Sequence, residues 1–324
     1  MAKLIVRPEA VRNNLCVLQS ACFDVGTDFM FVFKEAPLHP YLAELFLRGT
    51  AVSRLGIVSW TGTDSLRIPG GSFSQVCAVS DGWSSGLMNC ETFFCSSLKH
   101  LETVRDALGG RLPALRIPLE AGDLRDGMMP EEIPSFTRKA AELGFDIAGL
   151  SVNFACIVPE PPAIEKLALA DACCASLRGE FPRADISVGG TDILEYAADH
   201  ALPSSVNEIR CGTGAMLGVY PLSGRPVPGC RQDAFRFEAQ VLESRNKFGR
   251  RYVLLDAGSF HTAMGAVTVV CPGMRYVGAS SVFSVFDVTD CPECFCEGAS
   301  VRFGLDYRTL ARCFVSRLLA MEIV

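Results

Sequence analysis

The sequence lacks a long hydrophobic run and a basic cluster, and each absence excludes a class of protein. Its apolar stretches, such as residues 29–33, have the length of a β-strand and are far too short to cross a membrane. A net charge of −6 without a Lys/Arg run argues against nucleic acid or an anionic membrane as the main partner. Residues 1–15 also lack the features of a secretory signal. The expectation is a cytoplasmic protein.

The cysteine content is high, at 15 residues, and most of these thiols are expected to be reduced and buried in a chain without an export signal. Cys291, Cys294 and Cys296 form one cluster, CPECFC, whose spacing a zinc or iron–sulfur site can use. A fourth ligand is not evident nearby, and the run falls where a turn between two strands is expected. The sequence therefore favours an ordinary loop and no metal.

The chain changes character near residue 224. Before that point strand-sized apolar runs alternate with amphipathic helical stretches at 91–108, 132–144 and 163–181, as in βα units of a parallel sheet. The predicted strands are Phe29–Phe33, Gln75–Val79, Ala114–Pro118, Ile147–Val152, Asp185–Val188 and Glu208–Cys211. After the Gly/Pro-rich stretch 223–232 the runs become alternating and β-branched. We predict an α/β protein, with a (β/α)8 TIM-like barrel over 1–224 and a mostly-β domain over 225–324.

Polar residues follow several of the predicted strands. In a parallel barrel the βα loops at the C-terminal ends of the strands build the functional site. The candidates in those places are Lys34, Arg125, Asn153, Gly189–Thr191 and Arg210–Thr213. These residues are therefore expected to share one end of the barrel.

Lys34 directly follows five apolar residues, FMFVF. An ammonium beside a desolvated pocket is neutralised more easily than one in water. Only the neutral amine attacks an aldehyde, so this setting suits a lysine that forms a Schiff base. By position alone, a lysine that emerges into solvent at a strand end is the more common outcome.

Two glycine–threonine turns, Gly189–Thr191 and Gly212–Gly214, follow successive predicted strands. Backbone amides and hydroxyls in such turns bind phosphate, and barrel phosphate sites often use the last βα loops. Neither turn fits a Walker loop or the GxGxxG pattern. Arg125 and Arg210 add permanent positive charges at strand ends. Together these features indicate an anion or cofactor site.

Taken in order, these segments resemble the alanine racemase-like (fold type III) family of pyridoxal phosphate enzymes, most closely its ornithine racemase branch. FMFVFK, EAGDLRDG, GLSVNFAC, SVGGTDI and NEIRCGTGAMLG resemble successive barrel motifs. RYVLLDAG, YVGASSVFSVFDVTD and FGLDYRTLARCF resemble the C-terminal β domain. Each motif is weak alone, but their number and order are specific and cover nearly the whole chain.

The resemblance implies a role for each candidate. Lys34 would bind pyridoxal 5'-phosphate as a Schiff base and act as one proton-transfer base. Arg125 would hydrogen-bond the phenolic oxygen of the cofactor, and Asn153 would lie against its ring. The phosphate would be held by the last two turns and a C-terminal tyrosine, through Gly190, Thr191, Gly212, Thr213 and Tyr307.

Arg210 would face the pyridine nitrogen of the cofactor. A guanidinium stays protonated, so it donates a hydrogen bond to that nitrogen without protonating it. The ring is then a weaker electron sink, and rapid reprotonation of the α-carbon favours racemisation over transamination. The implied function is an amino-acid racemase or epimerase that interconverts L and D forms as a head-to-tail homodimer.

Racemisation by two bases needs a proton-transfer group on each face of the α-carbon. In alanine racemases the second is a tyrosine from the partner's β domain, and here LDAGSFHTAM has Ser259 at that position. Serine is a poor base without a helper. His261, two residues on, has a suitable ordinary pKa, although a surface histidine is an equally good interpretation.

The sequence departs from the family in two further segments. The stretch after Lys34, EAPLHPYL, is one residue shorter than in the family and has no tyrosine at the family's usual position. Val282 and Phe283 replace polar residues of the ornithine branch. Two other functions therefore stay open. One is a pyridoxal phosphate protein with a different α-carbon reaction or reduced activity. The other is a barrel that binds another phosphorylated ligand, with Lys34 as an electrostatic contact. The amino acid that serves as substrate is not predicted.

Overall fold

The computed structural model describes residues 1–58, 65, 68, 71–76 and 90–324. These residues form two compact units. One comprises residues 12–230, and we call it the barrel unit. The other comprises residues 1–11 together with 231–324, and we call it the β unit.

The barrel unit contains eight parallel strands that close into a ring in sequence order. They are β2 (Asp28–Val32), β3 (Arg54–Ile57), β4 (Ser72–Gln75), β5 (Cys90–Phe94), β6 (Ala114–Pro118), β7 (Ile147–Asn153), β8 (Asp185–Gly189) and β9 (Val206–Cys211). The last strand pairs with the first, with Cys211 opposite Phe31. The predicted TIM-like barrel is confirmed.

One helix precedes the first barrel strand, and helices follow most of the eight strands. They are α1 (Pro8–Asp24), α2 (Pro40–Leu47), α3 (Leu98–Leu108), α4 (Ile133–Glu142), α5 (Ile164–Arg178), α6 (Asp192–Ala197) and α7 (Thr213–Leu217). Local signals explain the ends of α3. The Ser97 side chain accepts a hydrogen bond from the backbone of His100, and Gly109 ends the helix in the left-handed conformation, with φ of 56°.

The predicted strands agree with β2, β6, β7, β8 and β9 to within two residues at each end. The predicted strand Gln75–Val79 overlaps β4 at Gln75, and its residues 77–79 lie outside the described residues. The prediction of one helix over 91–108 is wrong at its start, where Cys90–Phe94 forms β5. Phe93 and Phe94 are fully buried there, because a strand enclosed on both faces takes consecutive apolar residues.

The β unit is an antiparallel sheet with one helix. Its strands are β10 (Phe235–Lys247), β11 (Arg250–Leu255), β12 (Thr268–Val269), β13 (Arg275–Ala279), β14 (Ser284–Asp287), β15 (Ser300–Gly304) and β16 (Ala320–Ile323), and its helix is α8 (Tyr307–Val315). The sheet order is β12-β15-β10-β11-β14-β13. Phe303 packs its ring 6.2 Å from Phe237 and 5.3 Å from Phe286, measured between centroids. The mostly-β domain is confirmed.

The N-terminal strand β1 (Lys3–Val6) also belongs to the β unit, which differs from the division predicted at residue 224. It pairs antiparallel with β10 and parallel with β16. Its partners lie more than 200 residues along the chain, so the order of elements alone does not reveal the pairing. No helix in the described ranges is long and apolar enough to span a membrane.

Candidate active site

The predicted site positions of the barrel follow strands that are neighbours in space. β6, β7, β8, β9 and β2 are adjacent in that order around the closed ring. The register places Asn153 opposite Gly189 and Gly189 opposite Arg210. Because all eight strands are parallel, the residues that follow them lie at one rim. Arg125, Asn153, Gly190–Thr191, Gly212–Thr213 and Lys34 therefore form an arc along that rim.

Arg210 is the centre of a buried polar cluster in this arc. Its side chain is 3% exposed and donates to Ser187 Oγ at 2.7 Å, to Asn153 Oδ1 at 2.9 Å and to the Val152 carbonyl at 3.2 Å. Its guanidinium carbon lies 4.9 Å from the centroid of the Phe94 ring. Burial lowers the pKa of Arg210 to about 10, with Glu208 acting in the opposite direction, so Arg210 is still a cation at neutral pH.

Glu208 is the counter-charge of this cluster. Its carboxylate accepts a hydrogen bond from Ser187 Oγ at 2.5 Å and forms an ion pair with Arg54 at 3.1 Å. Arg54 also contacts Asp28 at 3.0 Å. Ser187 and Glu208 are opposite each other in the β8–β9 register, and both are buried. Ser187 thus links the carboxylate to the Arg210 guanidinium.

Gly189 leaves room for the contact between Asn153 and Arg210. A Cβ atom at position 189 would lie 1.8 Å from Asn153 Oδ1 and 2.7 Å from Arg210 Nη2. Real Cβ atoms do not approach other atoms this closely. The glycine at the end of β8 is therefore a packing requirement of the site.

The two glycine–threonine turns are in direct contact. Thr191 is buried, and its hydroxyl oxygen accepts a hydrogen bond of 3.0 Å from the Gly214 backbone N–H. A Cβ atom at Gly214 would lie 2.5 Å from Thr191 Cγ2. Gly190 has a φ of 105°, which favours glycine. The Thr213 side chain is half-buried, and within the described part of the chain its hydroxyl has no protein partner.

Arg125 lies between two carboxylates in the loop after β6. Its Nε donates to Asp126 Oδ1 at 2.9 Å and lies 3.9 Å from Asp123 Oδ2. Burial opposes the charge of Arg125, but the carboxylates outweigh it and raise the pKa of Arg125. Its two terminal nitrogens have no partner among the residues that the structure describes. Arg125 and Asn153 line the same small cleft.

Asp123 orders the rim beside Arg125. Its Oδ1 accepts hydrogen bonds of 2.8 Å from the backbone N–H groups of Cys156 and Ile157. Its Oδ2 is buried and accepts no hydrogen bond from any described residue. Leu124 and Ala155, in the same two loops, have left-handed φ angles of 53° and 60°. Non-glycine residues adopt this conformation rarely and mainly where the surroundings enforce it.

Lys34 lies at the same rim and is not enclosed. Phe33 before it is fully buried, whereas Lys34 opens a turn and its side chain is exposed. The backbone N–H of Ala36 bonds the Phe33 carbonyl at 3.1 Å, which closes the turn and directs residue 34 outward. Burial raises the pKa of the neighbouring Glu35, and the positive charge of Lys34 acts in the opposite direction. Of the two settings weighed for Lys34, the structure shows the exposed one, a lysine that emerges into solvent at a strand end. Its role as the cofactor lysine stays a prediction.

Ser259 and His261 share a turn of the β unit, and only Ser259 is exposed. The His261 ring is 5% exposed, and its Nδ1 accepts a hydrogen bond of 3.1 Å from the Gly258 N–H. Burial lowers the pKa of His261, with Asp256 acting in the opposite direction. The interpretation of His261 as a surface residue is therefore wrong.

A second turn supports the turn of Ser259. The backbone N–H groups of Ser259 and Phe260 bond the carbonyls of Ser280 and Ser281, each at 2.9 Å. Three exposed apolar side chains of these two turns lie near Ser259 in the chain, namely Phe260, Val282 and Phe283, and Ser280 and Ser281 are exposed as well. The pair of turns therefore presents serine hydroxyls beside exposed apolar side chains.

The chain was compared with known proteins. No protein-family model matches it. The ornithine racemase of Acetoanaerobium sticklandii is 24% identical over 290 residues, which cover 80% of this chain and 79% of that protein. The lysine racemase of Thermotoga maritima is 27% identical over 222 residues, or 61% of this chain and 62% of that protein.

Solved structures share the whole architecture. The alanine racemase of Corynebacterium glutamicum has a TM-score of 0.75 at 16% identity, covering 100% of this chain and 99% of that one. The chain therefore has the fold of the alanine racemases. Its sequence relatives place it near the ornithine racemase branch, so the resemblance found in the motifs is confirmed.

Solved structures of this fold differ in reaction. The alanine racemase of Bartonella henselae, solved with covalently bound pyridoxal phosphate, has a TM-score of 0.72 at 12% identity and covers 100% of this chain and 99% of that one. D-threo-3-hydroxyaspartate dehydratase has a TM-score of 0.74 at 16% identity, and the match covers 98% of this chain and 92% of that one. The fold alone therefore does not define the reaction of the chain.

One other predicted residue, Tyr307, and the CPECFC motif have definite places in the structure. Tyr307 is half-buried at the first residue of α8, where Asp306 caps the helix by accepting the Thr309 N–H at 2.7 Å. The CPECFC run lies in the loop between β14 and β15. In the described ranges no three His, Cys, Asp or Glu side chains are grouped to hold a metal ion.

Three further residues of the site, Ser187, Glu208 and Arg54, were not predicted from the sequence. They lie within or at the start of strands, where an isolated polar residue resembles ordinary alternation. A signal existed for two of them. Ser187 is a polar residue between Ile186 and Val188, two positions before Gly189, and Glu208 lies two positions before Arg210. Side chains two apart point to the same side of a strand.

Proposed function

We propose that this chain is a pyridoxal phosphate-dependent amino-acid racemase of the ornithine/lysine type. The observation that carries the proposal is the buried Arg210 cation, which Ser187 and Asn153 hold at the barrel rim. The names of the two sequence relatives support a racemase of basic amino acids. The fold type is that of pyridoxal phosphate enzymes, and a neighbour carries that cofactor covalently.

The rim residues fit this cofactor. Thr191 and Thr213 would hold the phosphate, with the adjoining Gly190 and Gly212, because the two turns are in contact and a hydroxyl is available. The unpartnered terminal nitrogens of Arg125 match an anionic phenolic oxygen. Arg210 would donate to the ring nitrogen, and the exposed amine of Lys34 would attach the cofactor. We further propose that Tyr307 contributes to the phosphate site.

When bound, pyridoxal phosphate takes up the electron pair that the α-carbon of an attached amino acid retains as its proton leaves. Arg210 would limit that electron uptake. A guanidinium that keeps its proton hydrogen-bonds the ring nitrogen without protonating it. The α-carbon would therefore recover a proton quickly, which favours racemisation.

Lys34 would move the proton on one face of the α-carbon. Its amine becomes available for proton transfer when the amino group of the substrate takes its place on the cofactor. The exposure of Lys34 suits a group that must meet both cofactor and substrate. Asn153, held by Arg210, would fix the ring beside it.

Ser259 would serve the opposite face, from the β unit of a second copy in a head-to-tail homodimer. The exposed position of Ser259 supports this assignment. His261 would keep the turn in shape, because its buried ring already accepts the Gly258 N–H. The apolar Phe260, Val282 and Phe283 would exclude water from the proton-transfer path.

The absorbance spectrum of the purified protein tests the cofactor assignment. Reconstitution with pyridoxal phosphate should give a visible band that survives dialysis and is lost in Lys34→Ala. Lys139→Ala, an exposed lysine on α4 of the same unit, is the matched control and should keep the band. A protein that stays colourless after reconstitution would instead favour a barrel that binds another phosphorylated ligand.

Incubation in deuterium oxide tests the reaction. Ornithine, lysine, alanine, serine and arginine should be screened for deuterium at the α-carbon and for loss of configuration. Both together indicate racemisation. Deuterium with retained configuration indicates a base on one face only. That result would favour a different α-carbon reaction. A dehydratase with the same fold is an example of a different reaction.

A further inference from the structure

The loop between β14 and β15 presents two thiols that the proposed racemase does not use. The sulfur atoms of Cys294 and Cys296 lie 4.0 Å apart, and both residues are exposed. Phe295 between them is 5% exposed. Because the buried phenylalanine anchors the loop, both thiols are held at the surface.

Arg251 on β11 fixes a positive charge against one of these thiols. Its Nη2 lies 3.2 Å from Cys294 Sγ and 3.3 Å from the Phe295 carbonyl oxygen, and its Nε donates to Ser244 Oγ at 3.4 Å. Three contacts therefore hold the guanidinium in place. The hydrogen bond from Arg251, with that from Cys296, lowers the pKa of Cys294. An adjacent cation and solvent access are the conditions under which a cysteine becomes nucleophilic.

Other cysteines have the opposite setting. Burial raises the pKa of Cys95 to about 11 and that of Cys313 to about 12, so both stay protonated at neutral pH. The pKa of Cys291, in the same loop as Cys294, is also raised to about 11. Burial is the main cause, and a hydrogen bond with Cys271 is the second. The loop therefore distinguishes one thiol from its neighbours.

We propose that Cys294 is a peroxide-reactive thiol and that Cys296 is its resolving partner, which together form a reversible disulfide in the β unit. The Cys294 thiolate attacks one oxygen of a hydroperoxide, the O–O bond breaks, and the leaving oxygen takes a proton. Cys294 becomes a sulfenic acid. The sulfur of Cys296 then attacks it, the S–S bond forms, the S–O bond breaks, and hydroxide leaves with the Cys296 proton as water. The protein loses two electrons and the peroxide gains two.

Alkylation of the full-length reduced protein tests the first step without any enzyme assay. Iodoacetamide at pH 7 should modify Cys294 at least about fivefold faster than Cys16, an exposed thiol on α1 that serves as the internal control. In Arg251→Gln the rate at Cys294 should fall to that of Cys16. Equal rates at the two sites in the wild-type protein would overturn the proposal, whatever the stability of the variant.

Treatment with hydrogen peroxide tests the second step. Mass spectrometry should show a loss of two hydrogens in the peptide that spans residues 291–297, reversed by dithiothreitol. In Cys296→Ser the same peptide should instead carry a sulfenic acid on Cys294 that a 1,3-diketone traps. A disulfide that forms at the same rate in Cys296→Ser, or one that joins other cysteines, would overturn the pairing. So would protection of both thiols by equimolar Zn²⁺, which would indicate a metal site.

Discussion

Asn153 accepts a hydrogen bond of 2.9 Å from Arg210 in the space that a side chain at position 189 would fill. The three residues come from three adjacent strands, β7, β8 and β9, in one continuous register. The contact therefore depends on a glycine that makes no polar interaction of its own. The position of the buried cation at the rim is set by backbone register and by the absence of one side chain.

Gly189→Ala should disturb this contact. The added methyl group would have to displace Asn153 or Arg210, and a buried guanidinium that loses its acceptor costs about 1–3 kcal/mol. Urea unfolding should show that loss, and a titration followed by absorbance should show weaker binding of pyridoxal phosphate. Gly110→Ala is the control, since the nearest atom to its Cβ is 3.7 Å away. Equal stability of the two variants would contradict the packing argument.

Thr191→Val should loosen the contact between the two phosphate turns. Valine has a similar shape but cannot accept the Gly214 N–H, and an unpaired buried donor costs about 1–3 kcal/mol. Thr191→Ser keeps the hydroxyl and should retain most of the stability. The readouts are the midpoint of urea unfolding and the affinity for pyridoxal phosphate. A valine variant that matches the serine variant in both would exclude a role for this hydrogen bond.

Arg210→Lys should weaken the site although the charge is kept. A single ammonium cannot reproduce the fork that reaches Ser187, Asn153 and the Val152 carbonyl, so at least one buried acceptor loses its donor. We expect a loss of about 1–3 kcal/mol in the free energy of unfolding. Racemisation of the accepted amino acid should also slow relative to transamination. Arg183→Lys, on the surface of the barrel unit, should change neither quantity.

The same cluster shows why the sequence predicts some parts of the site and not others. Asn153 is visible in the sequence because it follows a strand-sized apolar run, and Arg210 because it lies at the end of a short predicted strand, just before a glycine–threonine turn. A parallel barrel places its site at such strand ends. Glu208 acts on Arg210 through Ser187, and that relation depends on the register between β8 and β9. Register is a long-range property that no local pattern encodes. The exposure of Lys34 depends in the same way on a turn that begins after the strand ends.

β5 and β1 illustrate the same limit at the level of the fold. The apolar spacing of residues 91–108 fits one helix, and burial of Phe93 and Phe94 in the barrel overrides it at the start. β1 has the composition of any short strand, and only its pairing with β10 and β16 assigns it to the β unit. Strands with flanking turn residues, such as β6, needed no such information.

His261 should make the stability of the protein depend on pH below neutrality. Because the fold lowers the pKa of His261, the unfolded chain takes up a proton near pH 6.5 before the folded protein does. The contribution of His261 to the free energy of unfolding is therefore complete above pH 6.5 and declines as the pH falls below that value. His261→Asn keeps an acceptor for the Gly258 N–H but does not titrate. Urea unfolding at pH 7.5, 6.5 and 5.5 should give a shallower decline for the variant than for the wild type.

Mixed subunits should reveal whether a second copy completes the proposed site. Lys34→Ala and Ser259→Ala remove the two proposed proton-transfer groups, so each variant alone should lose racemase activity by about 10²–10⁴-fold. Suppose that Lys34 of one copy and Ser259 of the other form one site. A heterodimer of the two variants then has one site with both changes and one site with neither. Unfolding and refolding the two variants together should then restore roughly a quarter of wild-type activity, as expected for random pairing in a dimer.

The control for that experiment is Ser259→Ala refolded with Ser259→Ala/Lys34→Ala. A heterodimer of these two chains lacks Ser259 in every copy, so its activity should stay at the level of the single variant. Recovery in this control would show that Ser259 is dispensable. No recovery in the first mixture, from variants that refold and bind pyridoxal phosphate as expected, would show that Lys34 and Ser259 do not act across two copies. The second face would then need a group from the same chain.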